Sequence, residues 1–167
     1  MTSYFLAGIM QGDRTGDQMA DQGYRATLTE VIRRHEPDAV VQDPGMLMIE
    51  WLAADEAVIR GEHRALTDRV EVRRDEHGPG LVQLVDVFHR LVDISADCDV
   101  CVVWLPGQEA SMGTACEMFA AHRAGKQVVA ISTNRQNLAL LACADVILPD
   151  LAAFELWLKN RTSGVNP

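Results

Sequence analysis

Val100-Cys101-Val102-Val103-Trp104-Leu105 is apolar at every position. A strand with one wet face alternates apolar and polar side chains. An unbroken run of this length reads instead as a central strand of a parallel sheet, buried on both faces. Its neighbours agree. Residues 81–96 carry apolar side chains at helical spacing, with Leu81, Leu84, Val85, Phe88, Leu91, Val92 and Ser95 inward. After the strand come a loop from Pro106 to Ser111 and a helix over 112–124, with Met112, Ala115, Cys116, Phe119 and Ala120 as its core stripe. Gly125 suits the helix C-cap, and Gln127 to Ser132 is a further strand.

The same grammar extends to both ends. Residues 135–143 read as a short helix, and Val146-Ile147-Leu148 as a strand. Asp150 caps a last helix carrying Leu151, Phe154, Trp157 and Leu158, with a frayed tail over 160–167. Upstream, Tyr4 to Gly8 is a first strand, and residues 17–35 a helix with Tyr24, Leu28, Val31, Ile32 and His35 on one face. Ala39-Val40-Val41 is a second strand, and Asp43-Pro44-Gly45 a turn. Residues 44–80 form a variable insert. Helical spacing shows at Met48, Ile49, Leu52 and Ile59, followed by a charge-rich stretch ending in a mobile loop at His77-Gly78-Pro79-Gly80. Strands alternating with helices predict an α/β fold over 1–167: one domain, a three-layer, doubly wound, five-stranded parallel sheet, flavodoxin- or Rossmann-like.

The chain has 167 residues, 48% of them apolar, enough for one sizeable core. Fifteen basic against 24 acidic residues give a net charge of −9. That argues against nucleic acid or an anionic membrane as partner, since both require clustered positive charge. No run of 18 apolar residues and no export signal is visible, so a cytoplasmic protein is expected. Cys98 and Cys101 have CxxC spacing, which admits a redox pair, but Cys101 falls inside the central strand, where a thiol is core. His63, His77 and His122 show no ligand spacing, so neither a metal nor a cofactor is expected.

Ligands of such folds bind beyond the carboxyl ends of the strands. Two loops lie there. Gly8-Ile9-Met10-Gln11-Gly12-Asp13-Arg14-Thr15-Gly16 offers glycines for close backbone approach and a guanidinium for an anion, though it also reads as an ordinary turn. In Gly107 to Glu117, the hydroxyls of Ser111 and Thr114 and the unpaired N–H groups of a helix start form an anion site. Glu117, off the core stripe, can lean back over Gly113 and Thr114, because helical Cβ atoms tilt toward the N-terminus, although by the residues alone it reads more readily as a solvated helix residue.

Two blocks carry a family resemblance. Tyr4-Phe5-Leu6-Ala7-Gly8-Ile9-Met10-Gln11-Gly12-Asp13-Arg14 resembles the opening strand and glycine loop of the nucleoside 2-deoxyribosyltransferase superfamily. Asp99-Val100 through Leu105, Ser111-Met112-Gly113-Thr114-Ala115-Cys116-Glu117 and Gly125-Lys126-Gln127-Val128-Val129 resemble its central strand, its S/D-x-G-T-x-x-E helix start and its following strand. The likeness is to the nucleotide-hydrolysing branch in particular, the 2′-deoxynucleoside 5′-phosphate N-hydrolases and CMP hydrolases. Residues 44–80 match nothing in it.

The resemblance implies that Glu117 is a nucleophile that attacks the anomeric carbon and expels the base, leaving a glycosyl ester for water to hydrolyse. The transferases typically have Asp at the position of Ser111. A serine hydroxyl donates to a phosphate where a carboxylate would repel it, so a nucleoside 5′-monophosphate is the expected substrate. Tyr4, Gly8, Ile9, Gly12, Arg14, Gly113 and Thr114 fall on binding positions, Tyr4 with core packing as an equal reading. Gln11 stands where the hydrolases often have arginine. The family's acid lies on the helix before the central strand, where Asp86 and Asp93 flank His89 on one face; Asp86 ranks first, and Glu109 is a further candidate. Family members are homo-oligomers, and Ser132, Asn134 and Asn137 could reach a neighbouring subunit. Base exchange by a deoxyribosyltransferase and nucleotide sensing without turnover are the competing functions.

Overall fold

The computed structural model describes residues 1–12, 14 and 19–163. Five strands form one all-parallel sheet: β1 (Ser3–Gly8), β2 (Val40–Gln42), β3 (Val100–Leu105), β4 (Gln127–Ser132) and β5 (Val146–Leu148), in the order β2-β1-β3-β4-β5. This flavodoxin-like order has its switch point between β1 and β3, where successive connections depart to opposite faces. β3 is the middle strand, in register from Tyr4 opposite Val100 to Gly8 opposite Trp104, and from Val100 opposite Gln127 to Leu105 opposite Ser132.

Strand alternation divides the core into two layers. Tyr4, Leu6, Val100, Val102, Val129 and Ile131 face one side, where α1 (Gly23–His35) and α7 (Leu151–Thr162) bring Leu28, Ile32, Phe154 and Leu158. Phe5, Ala7, Cys101, Val103, Val128 and Ala130 face the other. There they meet α2 (Pro44–Leu52), α3 (Glu56–Ala65), α4 (Pro79–Asp97), α5 (Met112–Arg123) and α6 (Leu138–Cys143). Among the described residues, no helix is long and apolar enough to cross a membrane.

Several boundaries differ from expectation. Asp43-Pro44-Gly45 opens a helix rather than a turn: the Asp43 carboxylate accepts from the N–H groups of Gly45 (2.8 Å) and Met46 (3.2 Å), and Pro44 stands in the first turn, where its missing N–H costs nothing. Residues 61–80 are more ordered than a mobile loop. They hold the end of α3, two 3-10 turns (Leu66–Asp68 and Arg74–Glu76) and the first residues of α4. The helix expected over 17–35 starts at Gly23; residues 17 and 18 lie outside the described residues. The tail holds together longer than expected, α7 running to Thr162, whose hydroxyl donates to the Leu158 carbonyl; residues 164–167 lie outside the described set. Gly125, at φ +70°, closes α5 as expected, with Lys126 N–H donating to the Ala121 carbonyl.

The largest correction is the rotation of α5. Thr114, Glu117, Met118 and Ala121 are its buried face. Met112 (87% exposed), Cys116 and Phe119 (55%), expected in the core, face outward. The helix carries apolar residues on two sides, so periodicity alone does not choose between them, and packing against the sheet and α4 decides. Phe88 of α4 is likewise 39% exposed, Val87 taking the inward place assigned to its neighbours.

Candidate active site

At the carboxyl edge of the sheet, beside the switch point, lies a cavity of about 490 Å3. Its floor is Gly8, at the end of β1, and the start of α5. Met48 and Leu52 of α2, Ile59 of α3, and Leu84, Phe88 and Leu91 of α4 make an apolar wall. The insert thus supplies much of the enclosure. A shallower groove between α1 and α2, of about 530 Å3, lies apart from Glu117 and the start of α5; the helix N-terminus it meets, that of α2, is already capped by the Asp43 carboxylate.

The start of α5 is built by Ser111. Its Oγ accepts from the Thr114 N–H (3.3 Å) and from the Thr114 hydroxyl (2.9 Å). A hydroxyl has one proton to give, so that of Ser111 remains for another acceptor. Met112 and Gly113 occupy the first turn, where N–H groups have no partner within the helix and an anion is favoured. Glu117 follows Gly113 by four residues and Thr114 by three, hence on the same face. Glu117 is 6% exposed. Burial pushes its carboxyl up from 4.5 to about 8, with Arg25 pulling the other way. Ser95 ties α5 to α4: its Oγ lies 2.6 Å from the Val92 carbonyl and 3.0 Å from the backbone carbonyl of Glu117, its one proton shared between them.

The first loop closes over this floor. The Tyr24 hydroxyl occupies the place a Cβ at Gly8 would need, and Gly12 adopts φ +63° beneath the Glu109 carboxylate. Arg14 bonds Glu109 at 2.7 Å, linking the two loops. Ile9 packs against Gly12 and accepts at its carbonyl from Gln22 (3.1 Å). Asp13, Thr15 and Gly16 lie outside the described residues.

Of the expected site residues, Gly8, Gly12, Ser111, Gly113, Thr114 and Glu117 come together in the cavity. Tyr4 does not: it is wholly buried near the amino end of β1, its hydroxyl donating to Glu36 at 2.6 Å. Asp86, His89 and Asp93 are exposed and do not line the cavity; the cavity face of α4 is apolar. Ser132 is buried and accepts from the Asn134 N–H, while Asn137 caps α6, so both are used within the chain. Cys98 and Cys101 are buried free thiols pushed upward by burial, Cys98 to about 11, which disfavours the thiolate that redox exchange uses. Among the described residues, no group of three His, Cys, Asp or Glu is placed to hold a metal.

Two residues escaped the sequence reading. Arg25 is 1% exposed beneath the first loop, with Nε 3.4 Å from the Leu6 carbonyl, Nη2 3.3 Å from the Gly8 carbonyl and Asp43 at 3.6 Å. The signal was a cation three residues before Leu28, on the core face of α1. His63 reaches the cavity from α3, within the charge-rich stretch expected to end in a loop.

No family model and no curated protein matches the sequence. Solved structures do. The 2-deoxyribosyltransferase of the psychrotolerant bacterium Bacillus psychrosaccharolyticus superposes with a TM-score of 0.58 at 18% identity, over 92% of this chain and 90% of that one. The chain shares the fold of a 2-deoxyribosyltransferase. A conserved protein from Enterococcus faecalis V583 gives 0.56 at 17% identity, over 96% and 99% of the two chains. The CMP N-glycosidase of Clostridium botulinum gives 0.47 at 14% identity, over 96% and 99%. At these identities the first two likenesses speak for the fold alone, and the chemistry rests on the cavity.

Proposed function

We propose that this protein is an N-glycosidase that cleaves nucleoside 5′-monophosphates through a glycosyl ester of Glu117. The observation that carries the reading is the buried Glu117 carboxyl on the same helix face as an anion-attracting helix start, inside a largely apolar cavity. The 5′-phosphate takes the Ser111 hydroxyl and the first N–H groups of α5, with Arg14 at the rim. Gly8, Ile9 and Gly12 shape the backbone beside the sugar. The base lies against the apolar wall. Ionised Glu117 attacks C1′, its negative charge matched to the positive charge that develops there, and water then opens the ester. Tyr4, Asp86 and Asp93 take no part within one subunit, and neither a metal nor a cofactor enters the scheme. A nucleotide substrate places the protein in the cytoplasm.

The test is free-base release from a panel of ribo- and deoxyribonucleoside 5′-monophosphates and the matching nucleosides, with Glu117→Ala as control. Release from monophosphates alone, lost in the variant, is expected. Exchange between free bases from unphosphorylated nucleosides would make the protein a deoxyribosyltransferase. Nucleotide binding without release would make it a sensor, a reading that the raised Glu117 carboxyl also accommodates.

Homo-oligomerisation belongs to the same proposal. Met112 and Phe119 of α5 and Leu138 and Leu141 of α6 are exposed apolar side chains, and a second copy would cover them. Sedimentation at micromolar concentration should give a dimer or larger; a monomer would overturn this part.

A further inference from the structure

N-glycosidic cleavage needs more than a nucleophile. An ordinary base leaves poorly as an anion, so a proton must reach it as the bond breaks. The helix expected to supply the acid presents Leu84, Phe88 and Leu91 to the cavity. Among the described residues, the ionisable side chains lining it are Glu117, at the floor, and Glu56, Arg60 and His63, on one face of α3 with Ile59. Arg60 pairs with Glu56 through two contacts of 2.8 and 2.6 Å. An arginine does not give up its proton, and the Glu56 carboxylate is taken up in accepting from Arg60.

We propose that His63 protonates the departing base and afterwards activates the water. The proposal rests on the N-glycosidase reading. Imidazole is the side chain suited to both halves, giving a proton from its cationic form and taking one in its neutral form. His63 is also held in place. The adjacent Glu62 carboxylate accepts from the Leu81 N–H at 2.9 Å, and the backbone of Ile59 packs on Gly80, so the end of α3 is fixed to the start of α4.

The steps balance. As a Glu117 oxygen bonds to C1′, the C1′–N bond breaks and its electron pair stays on the base nitrogen, which takes the proton of the His63 imidazolium. The base departs neutral and His63 is left as imidazole. Water then attacks C1′ while giving its proton to His63. The ester bond breaks, its electron pair returns to the Glu117 carboxylate, and the imidazolium is restored. One water is consumed for each base and sugar phosphate released.

The experiment compares wild type and His63→Gln on paired nucleoside 5′-monophosphates that differ only in how much the base needs a proton. If purines are accepted, the pair is guanine and 7-methylguanine, whose ring already carries the positive charge. If pyrimidines are accepted, the pair is uracil and 5-fluorouracil, the better anion. His63 is half-buried, so His63→Gln should melt like the wild type. Its release of the ordinary base should fall about a hundredfold or more, with most of that loss recovered on the activated partner. Equal losses on both substrates would mean a structural role, and undiminished release of the ordinary base would remove His63 from the reaction; either result overturns the proposal. Both would leave the N-glycosidase reading intact if Glu117→Ala remains inactive. No release by the wild type from any substrate would overturn both.

Discussion

Glu117→Gln should lose base release by at least about a thousandfold, as removal of a covalent nucleophile does, and should make the protein more stable. The two effects share one cause. Glu117 is buried where its charge is poorly solvated, and its carboxyl is raised from 4.5 to about 8. The folded protein therefore holds this proton more tightly than the unfolded chain. Between pH 4.5 and 8 folding takes a proton up, so stability falls as pH rises across that window. The stability associated with the protonated group is intact below 4.5 and lost above 8, a difference on the order of 5 kcal/mol. Glutamine keeps the shape without the charge. Its melting temperature should match the wild type near pH 4.5 and exceed it by several degrees at pH 8.5.

The same proton sets the activity of the wild type. Attack needs the carboxylate, so kcat/KM should rise about tenfold per pH unit through neutrality and level off near pH 8 on this limb. Thermal melts of both proteins at pH 4.5 and 8.5, with the pH profile of release, check the argument. A variant that keeps activity within tenfold would remove Glu117 as nucleophile. A variant no more stable at pH 8.5 would show that the burial carries no penalty.

The fold was legible because its strands are written in composition. β3 is apolar throughout and β4 between Gln127 and Ser132, and their ends fall where expected. Caps such as Asp150 and Gly125 mark helix ends by chemistry that is local. The floor of the cavity was legible for the same reason: Glu117 follows the helix-capping Ser111 by six residues, and their pairing needs no tertiary information. What failed was whatever the tertiary structure decides. The rotation of α5 could not be read from a helix apolar on two sides. The face of α4 turned to the cavity is its apolar one, so the exposed pair Asp86 and Asp93 drew attention to the wrong side. Helical spacing in the insert was legible only as far as Ile59, because the charges beyond it obscure the short face that Arg60 and His63 share with Glu56 and Ile59. Arg25 was passed over because a charged residue on a core stripe looks like noise in an amphipathic pattern.

Arg25 is where the second large effect is expected. Arg25→Met should destabilise the protein by about 2–3 kcal/mol and move the rise in activity to higher pH. The guanidinium spans the carbonyls of Leu6 and Gly8, and methionine leaves those acceptors without their donor. Asp43 suffers less, because it keeps the N–H groups of Gly45 and Met46 and is one-quarter exposed. The functional effect comes from Glu117. Arg25 opposes the desolvation of that carboxyl, so its loss leaves burial unopposed and drives the carboxyl further above 8. At neutral pH a smaller fraction is then ionised, and release falls; raising the pH should restore it. Arg25→Lys separates charge from geometry. It keeps the cation but has no planar fork to span both carbonyls, so it should recover the pH profile while still losing stability. Profiles and melts of the two variants decide the matter. An Arg25→Met profile that coincides with the wild type would mean that Arg25 holds the first loop and does nothing for the charge of Glu117.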